Sequence, residues 1–414
     1  MGMKIGLIID SDWFFGKMDK FDINWKDPNI WKKLLSPQSW GSSNTGIDFV
    51  CPILINTLAK DTVNRTKGKK FETAAKKVGF DILHRLEKQG ESSHRTGYKG
   101  GSLALLGASV EALASQVDLL VVHATGLETL EVLRFVMAEH QHIRTVLFSN
   151  ENDFSEDIRE RIQVIPIDNG RLRDFLESNN GANVSTVKTV RLNELFPSEV
   201  PHKAHRLGKV VDVGGMYSME QIVGVAWGSM FKARPLKNAR EPSIMAYNIV
   251  TISKSSTPQR DFQIKHWEKG GWEVVRTRVD GGKQLDDGLV GACMSRCSSN
   301  CSEVMLFGPD IDFLPVEKLL SEIHGTHMIR VAPDYIKERE NVTSREVVKS
   351  KFNEFIPLRK FLAENDGIVN VKSSRLPPKP RNIDERRKWS VKKREEEAAT
   401  QDKIILELDK RASD

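Results

Sequence analysis

The sequence predicts an α/β chain built twice over: two tandem domains, each a mainly parallel sheet sandwiched by helices, followed by a charged tail. Three observations predict it. Short apolar strand-like runs alternate with amphipathic helix-like runs along most of the 414 residues. An internal repeat runs without gaps when Lys99 is placed on Lys283. Each half opens on an apolar strand that ends in aspartate, Ile5-Gly-Leu-Ile-Ile-Asp10 and Leu207-Gly-Lys-Val-Val-Asp212. A repeat of this length argues for domain duplication, because solenoid units are shorter.

The elements follow in order. After the first strand, residues 24–48 are rich in Trp, Pro, Ser and Gly, and read as an insertion loop and a candidate protein-partner surface. Phe71 to Leu83 reads as an amphipathic helix, a glycine stop and a strand, and Phe262 to Val275 repeats that order. The ungapped register carries Lys99-Gly-Gly-Ser-Leu-Ala-Leu-Leu-Gly-Ala onto Lys283-Gln-Leu-Asp-Asp-Gly-Leu-Val-Gly-Ala. It holds to Phe135 over Leu319. Leu105, Gly107, Ala108, Leu130 and Val132 meet identical residues.

In the second copy, strands are expected at 209–213, 244–250, 272–278, 303–307 and 327–331. Helices are expected near 216–231, at 259–269, at 286–298 and at 313–324. The alternation implies a parallel sheet covered on both faces. Right-handed crossovers then gather the strand C-terminal ends along one edge, where such sheets bind ligands. The domain limits read as 1–177, a linker at 178–206 with a short helical interruption, and 207–335. Residues 336–414 read as an extension, helix-like over 343–364, with a charged tail from Asp384. The tail's interspersed acids favour a solvated helix over a basic nucleic-acid arm.

Composition sets outer limits. A net charge of +6 permits a polyanionic partner without demanding one. No apolar run approaches the length of a bilayer span, and the N-terminal strand lacks the form of a signal peptide, so a cytoplasmic protein is expected. Of four cysteines, Cys293, Cys297 and Cys301 share one helical face. That spacing fits a metal or redox cluster. It fits better a buried helix using Cys as a small apolar residue.

The chemistry-bearing residues are aspartates. Asp212 ends the first strand of the second copy, Asp286 opens a helix in Lys283-Gln-Leu-Asp, and Asp310 and Asp312 lie in Phe307-Gly-Pro-Asp-Ile-Asp-Phe-Leu-Pro315. Taken singly, each has a structural role open to it. Asp212 or Asp286 could cap a helix, and Asp310 and Asp312 could form an Asx-turn. Taken together, in this order and spacing, the three motifs resemble the NYN branch of the PIN-like nucleases. The resemblance covers about 207–333 well and the first copy more faintly.

That resemblance implies two PIN-like domains and a Mg²⁺ or Mn²⁺ site at Asp212, Asp286, Asp310 and Asp312. It further implies hydrolysis of RNA phosphodiester bonds, an endoribonuclease activity. The chemistry is consistent with the residue types. Mg²⁺ prefers carboxylate oxygens and keeps several waters, and crowded aspartates repel one another without a cation. The second copy departs from the family pattern at Gly215, where Asn is usual, and at Pro309, where Gly is usual. In the first copy Asp10 is kept, but Ser102, Gly126 and Glu128 stand over Asp286, Asp310 and Asp312. That copy therefore reads as a silent scaffold. Its Asp10-Ser-Asp12 also fits a dehalogenase-like nucleophile motif, without a convincing matching acid pair.

Candidate RNA contacts are Lys254, Ser255, Arg260, Arg276, Arg278 and Lys283, cations and a hydroxyl around the segments that should flank the cleft. A second function class stays open: a non-catalytic RNA-binding or adaptor protein built on decayed NYN domains.

Overall fold

The computed structural model describes residues 2–18, 23–40, 46–58, 62–86, 100–124, 126–149, 162–166, 171–177, 187–196, 207–212, 244–252, 265, 268, 273–280, 283–284, 286–308, 310–332, 353–357 and 360–361. It is a mixed α/β protein with two parallel sheets flanked by helices.

The first sheet is made of β1 (Met3–Asp10), β2 (Ile47–Leu58), β3 (Asp81–Leu86), β4 (Leu119–His123), β5 (Arg144–Ser149) and β6 (Ile162–Pro166). Their order across the sheet is β3-β2-β1-β4-β5-β6, all parallel. The second sheet contains β7 (Leu207–Asp212), β8 (Ile244–Ile252), β9 (Glu273–Asp280), β10 (Lys283–Gln284), β11 (Glu303–Phe307), β12 (His327–Ala332) and β13 (Asn353–Pro357). Its order is β10-β9-β8-β7-β11-β12-β13, parallel except for the β9–β10 hairpin. Leaving out β10, the two sheets have the same strand order.

Helices α1 (Ser11–Met18), α2 (Pro28–Leu34), α3 (Thr62–Lys77) and α6 (Arg171–Glu177) supply Phe14, Trp31, Ala75 and Leu176 to a core on one face of the first sheet. On its other face lie α4 (Gly100–Ala114) and α5 (Gly126–Glu139). These meet α7 (Asp287–Asn300) and α8 (Leu314–His324) of the second half, and one continuous core joins the two sheets through those four helices. Residues 102–114 of α4 and 288–298 of α7 are buried without interruption. Most of these residues are apolar or small, as a helix packed on all sides requires, and the two charges among them, Glu111 and Arg296, pair with each other.

The α4–α7 crossing repeats itself. A Cβ on Gly107 would collide with the carbonyl of Gly288, and a Cβ on Gly291 would collide with the carbonyl of Ala104. In the sequence register Gly107 corresponds to Gly291 and Ala104 to Gly288. Exchanging the two halves therefore maps one contact onto the other, the signature of a local two-fold relation. The duplication reaches the strands too. A Cβ on Gly6 would lie 2.9 Å from Leu113 and 3.0 Å from Leu120. One on Gly208 would lie 2.6 Å from Cys297 and 3.2 Å from Val304, the residues equivalent to those two leucines.

Two sequence expectations are corrected. Residues 24–48 are not simply a loop. Asp27 caps α2 by accepting from the Asn29 amide at 2.9 Å, with Pro28 in the first turn. Trp31 and Trp40 are buried, and their indole N–H groups donate to the carbonyls of Trp25 and Leu34 at 2.9 and 3.0 Å. Large indoles removed from water with their donors satisfied hold this segment to the core. The helix expected over 343–364 gives way at 353–357 to β13, which pairs in register with β12, so the sheet extends past residue 335. Part of the 178–206 linker is docked on the first half. The Val190 amide donates to the Val50 carbonyl at 3.0 Å, the Val50 amide donates to the Lys188 carbonyl at 2.9 Å, and the Leu192 amide donates to Asp81 at 2.6 Å. The expected 216–231 helix and the tail lie outside the described residues. So does the 259–269 helix, apart from Lys265 and Glu268.

Candidate functional site

The two central neighbours of the second sheet are β7 and β11, paired with Val211 opposite Phe307. Strands β8 and β9 extend the sheet to one side and β12 and β13 to the other. Strand order therefore reverses between β7 and β11, and the strand C-termini at such a point are where open α/β sheets bind ligands. Asp212 is the last residue of β7. Asp310 and Asp312 follow directly from β11, in the turn that leads into α8. Asp286 precedes α7, which packs against β7.

Asp286 and Asp312 are buried and Asp310 is half-buried. Asp286 makes no side-chain capping bond to α7. Asp310 does form the Asx-turn open to it, its Oδ1 accepting from the Asp312 amide at 3.0 Å. The side chain of Asp212 lies outside the described residues. Among the described residues no three His, Cys, Asp or Glu side chains form a group suited to a metal ion. Asp286, Asp310 and Asp312 are therefore not such a group.

Sequence reasoning missed Arg330 of β12. Its guanidinium is fully buried, with Nε donating to Glu317 Oε1 at 2.6 Å. Its Nη1 donates to the carbonyls of Gly308 at 3.1 Å and Asp310 at 2.5 Å. It thus ties the aspartate turn to α8. The available signal was a charge inside the apolar strand Met328-Ile-Arg-Val-Ala332. Lys209 was also missed. It lies fully buried in β7, and burial lowers its ammonium pKa to about 8.

Of the proposed RNA contacts, Arg276 is exposed on β9 and lies 3.8 Å from Glu268. Lys283 stands in β10 and Arg278 in β9, with their side chains outside the described residues. Lys254, Ser255 and Arg260 also fall outside them. The three cysteines are buried, and burial raises the thiol pKa of Cys293 and Cys297. Cys297 packs at Gly208, as a small apolar residue would.

The same edge of the first sheet is built differently. Asp10 is buried and accepts from the Trp13 amide at 3.5 Å. Ser11 donates to Asn56 at 2.7 Å, Asn56 donates to Glu72 at 2.6 Å, and His84 lies 3.0 Å from Glu72. Ser102 is buried at the position of Asp286.

No family model matches this chain, and no curated protein matches it. Among solved structures it is similar to a Vibrio parahaemolyticus protein of unknown function, at 14% identity and a TM-score of 0.30, covering 38% of this chain and 94% of that one. It is also similar to Anabaena HepE in complex with UDP and glucose, at 10% identity and a TM-score of 0.20, covering 99% and 100%. A third is proximal thread matrix protein 1 of the mussel byssus, at 9% identity and a TM-score of 0.22, covering 89% and 95%. At these scores none of the likenesses carries an argument about function. No described helix is long and apolar enough to cross a membrane.

Proposed function

We propose that the chain is a metal-dependent ribonuclease of two PIN-like domains, with its active site at the C-terminal edge of the second sheet. One observation carries this reading: Asp212 and the Asp310–Asp312 turn leave adjacent parallel strands at the point where strand order reverses. Asp212, Asp286, Asp310 and Asp312 would hold the ion. Their short carboxylates offer the hard oxygen donors that Mg²⁺ or Mn²⁺ takes. When bound, the cation supplies an activated water and neutralises charge on the phosphodiester oxygens.

The chain's own residues do the rest. The Asx-turn fixes the spacing of Asp310 and Asp312, and Arg330 fixes the backbone beneath them. Arg276, with Lys254, Ser255, Arg260, Arg278 and Lys283, would hold flanking phosphates and set no sequence preference. The choice of RNA rests on the motif resemblance. The first domain, with Ser102 and Gly126 in place of two acids, serves as a scaffold.

A second reading is favoured by the departures from the family pattern: Gly215 stands where Asn is usual, and Ser102 and Gly126 stand where the first copy would need acids. On it, the chain binds RNA or a protein partner through decayed domains and cleaves nothing. Labelled RNA and DNA incubated with Mg²⁺, Mn²⁺ or EDTA separate the two. The nuclease reading expects cation-dependent RNA cleavage that Asp310→Asn removes while RNA binding persists. Cleavage that survives EDTA or that substitution contradicts it.

A further inference from the structure

The buried ion pair Arg330–Glu317 has no counterpart in the first half. Through α5 and α8 the repeat places Leu133 at the position of Glu317, flanked by the identical pairs Leu130–Leu314 and Val132–Val316. Through the strand pairing, Leu119 opposite Arg144 corresponds to Glu303 opposite His327, which places Leu147 at the position of Arg330. Leu133 and Leu147 are both fully buried in the shared core. The same fold therefore accepts two leucines where the second half keeps a charged pair.

Apolar residues at such a site are generally as stable as the ions or more so, because two charges need not leave water. The second half bears a further cost. Arg330 Nη2 is buried with no hydrogen-bond partner among the described residues. Stability alone does not explain keeping the pair. The halves differ in one linked respect. Where the pair is present, the following turn carries Asp310 and Asp312. Where leucines replace it, the turn carries Gly126 and Glu128.

We infer that Arg330, oriented by Glu317, is a positioning residue for the active site: it grips the carbonyls of Gly308 and Asp310 and so sets the Asp310 and Asp312 carboxylates for the cation. The inference rests on the nuclease reading above. Glu317 neutralises the guanidinium and holds its plane from α8, while Nη1 bridges the two carbonyls across Pro309. A leucine pair fills the volume and removes these two bonds from the turn, which keeps its Asx bond and the Gly308 amide's bond to the Val331 carbonyl.

The test uses the full chain and the double variant Arg330→Leu/Glu317→Leu, which copies the first half. Melting temperature should stay the same or rise. Three other readouts should move. Amide hydrogen exchange over 308–313 should speed up at least tenfold in metal-free protein. Mn²⁺ affinity by calorimetry should fall at least tenfold. The kcat for RNA cleavage should fall with KM little changed. Arg330→Lys, which keeps the charge opposite Glu317 but not the planar fork, should fold and show the same losses in milder form. A double variant that binds Mn²⁺ and protects the turn like wild type overturns this inference alone. Wild type that neither binds Mn²⁺ nor cleaves RNA overturns the nuclease reading and this inference with it.

Discussion

The guanidinium of Arg296 forks onto both carboxylate oxygens of Glu111, at 2.9 and 3.0 Å, across the seam between the two halves. It also lies 4.0 Å over the Phe135 ring. Burial pushes the Glu111 carboxyl up, but hydrogen bonds from His140 and Arg296 outweigh it and hold the group below its ordinary value. This pair ties α4 to α7 in one direction only, since Ser295 and Ala112 occupy the mirrored positions. Arg296→Ala leaves Glu111 buried without its cation and should cost about 3–5 kcal/mol. Arg296→Met with Glu111→Leu should recover most of that. Urea unfolding of the three proteins checks it. A single variant within about 0.5 kcal/mol of wild type would mean the halves do not depend on this clamp.

The glycine crossing makes a sharper demand. Any Cβ at Gly107 or Gly291 meets a backbone carbonyl of the opposing helix, and backbone cannot rotate away as a side chain can. Gly107→Val should destabilise by about 3 kcal/mol or prevent folding, and Gly291→Val should do the same. Thermal denaturation of the soluble fraction gives the comparison. Two variants that melt with wild type would show that the helices do not approach so closely.

His123 gives the fold an acid sensitivity. It ends β4, stacked at 4.2 Å on Phe148 and edge-on at 5.2 Å to Phe14, with both ring nitrogens unpartnered among the described residues. Burial lowers its pKa to about 3, so the imidazole is neutral in the folded protein, whereas the unfolded chain protonates near the ordinary 6.5. The unfolded state then binds the extra proton between those values. Stability is complete above about pH 6.5 and falls as pH drops, by up to about 1.4 kcal/mol per pH unit. His123→Leu should flatten that slope between pH 6.5 and 4. An unchanged slope would place the acid sensitivity in other groups.

The sheets were legible because central parallel strands are apolar on both faces: Glu303–Phe307 fell where expected, and β7, β8 and β12 within two residues at each end. The repeat was legible in Gly107 and Gly291, whose identity reflects one helix crossing used from both sides. Two elements misled. Residues 24–48 carry loop-forming Pro, Ser and Gly, and nothing local shows that Trp31 and Trp40 find a core to enter. Strand β13, Asn-Glu-Phe-Ile-Pro, is short and half-polar, and it gains its form from β12 rather than from its own pattern. At the candidate site the aspartates stood out by spacing. Arg330 and Glu317 did not, because pairing two charges 13 residues apart is a property of the fold.

On the proposed nuclease reading, the second sheet's edge holds a divalent cation through Asp212 and the Asp310–Asp312 turn. Calorimetric titration of Mn²⁺ into the full chain and into Asp212→Asn tests it most directly. Outer-shell partners of metal ligands are already worth about 10–100-fold in affinity, and a direct ligand should be worth at least as much. Wild type should bind one Mn²⁺ per chain, Asp212→Asn should lose about a hundredfold or more in affinity, and the apo protein should melt unchanged. Wild type that takes up no Mn²⁺, or Asp212→Asn that takes it up equally, would contradict the reading.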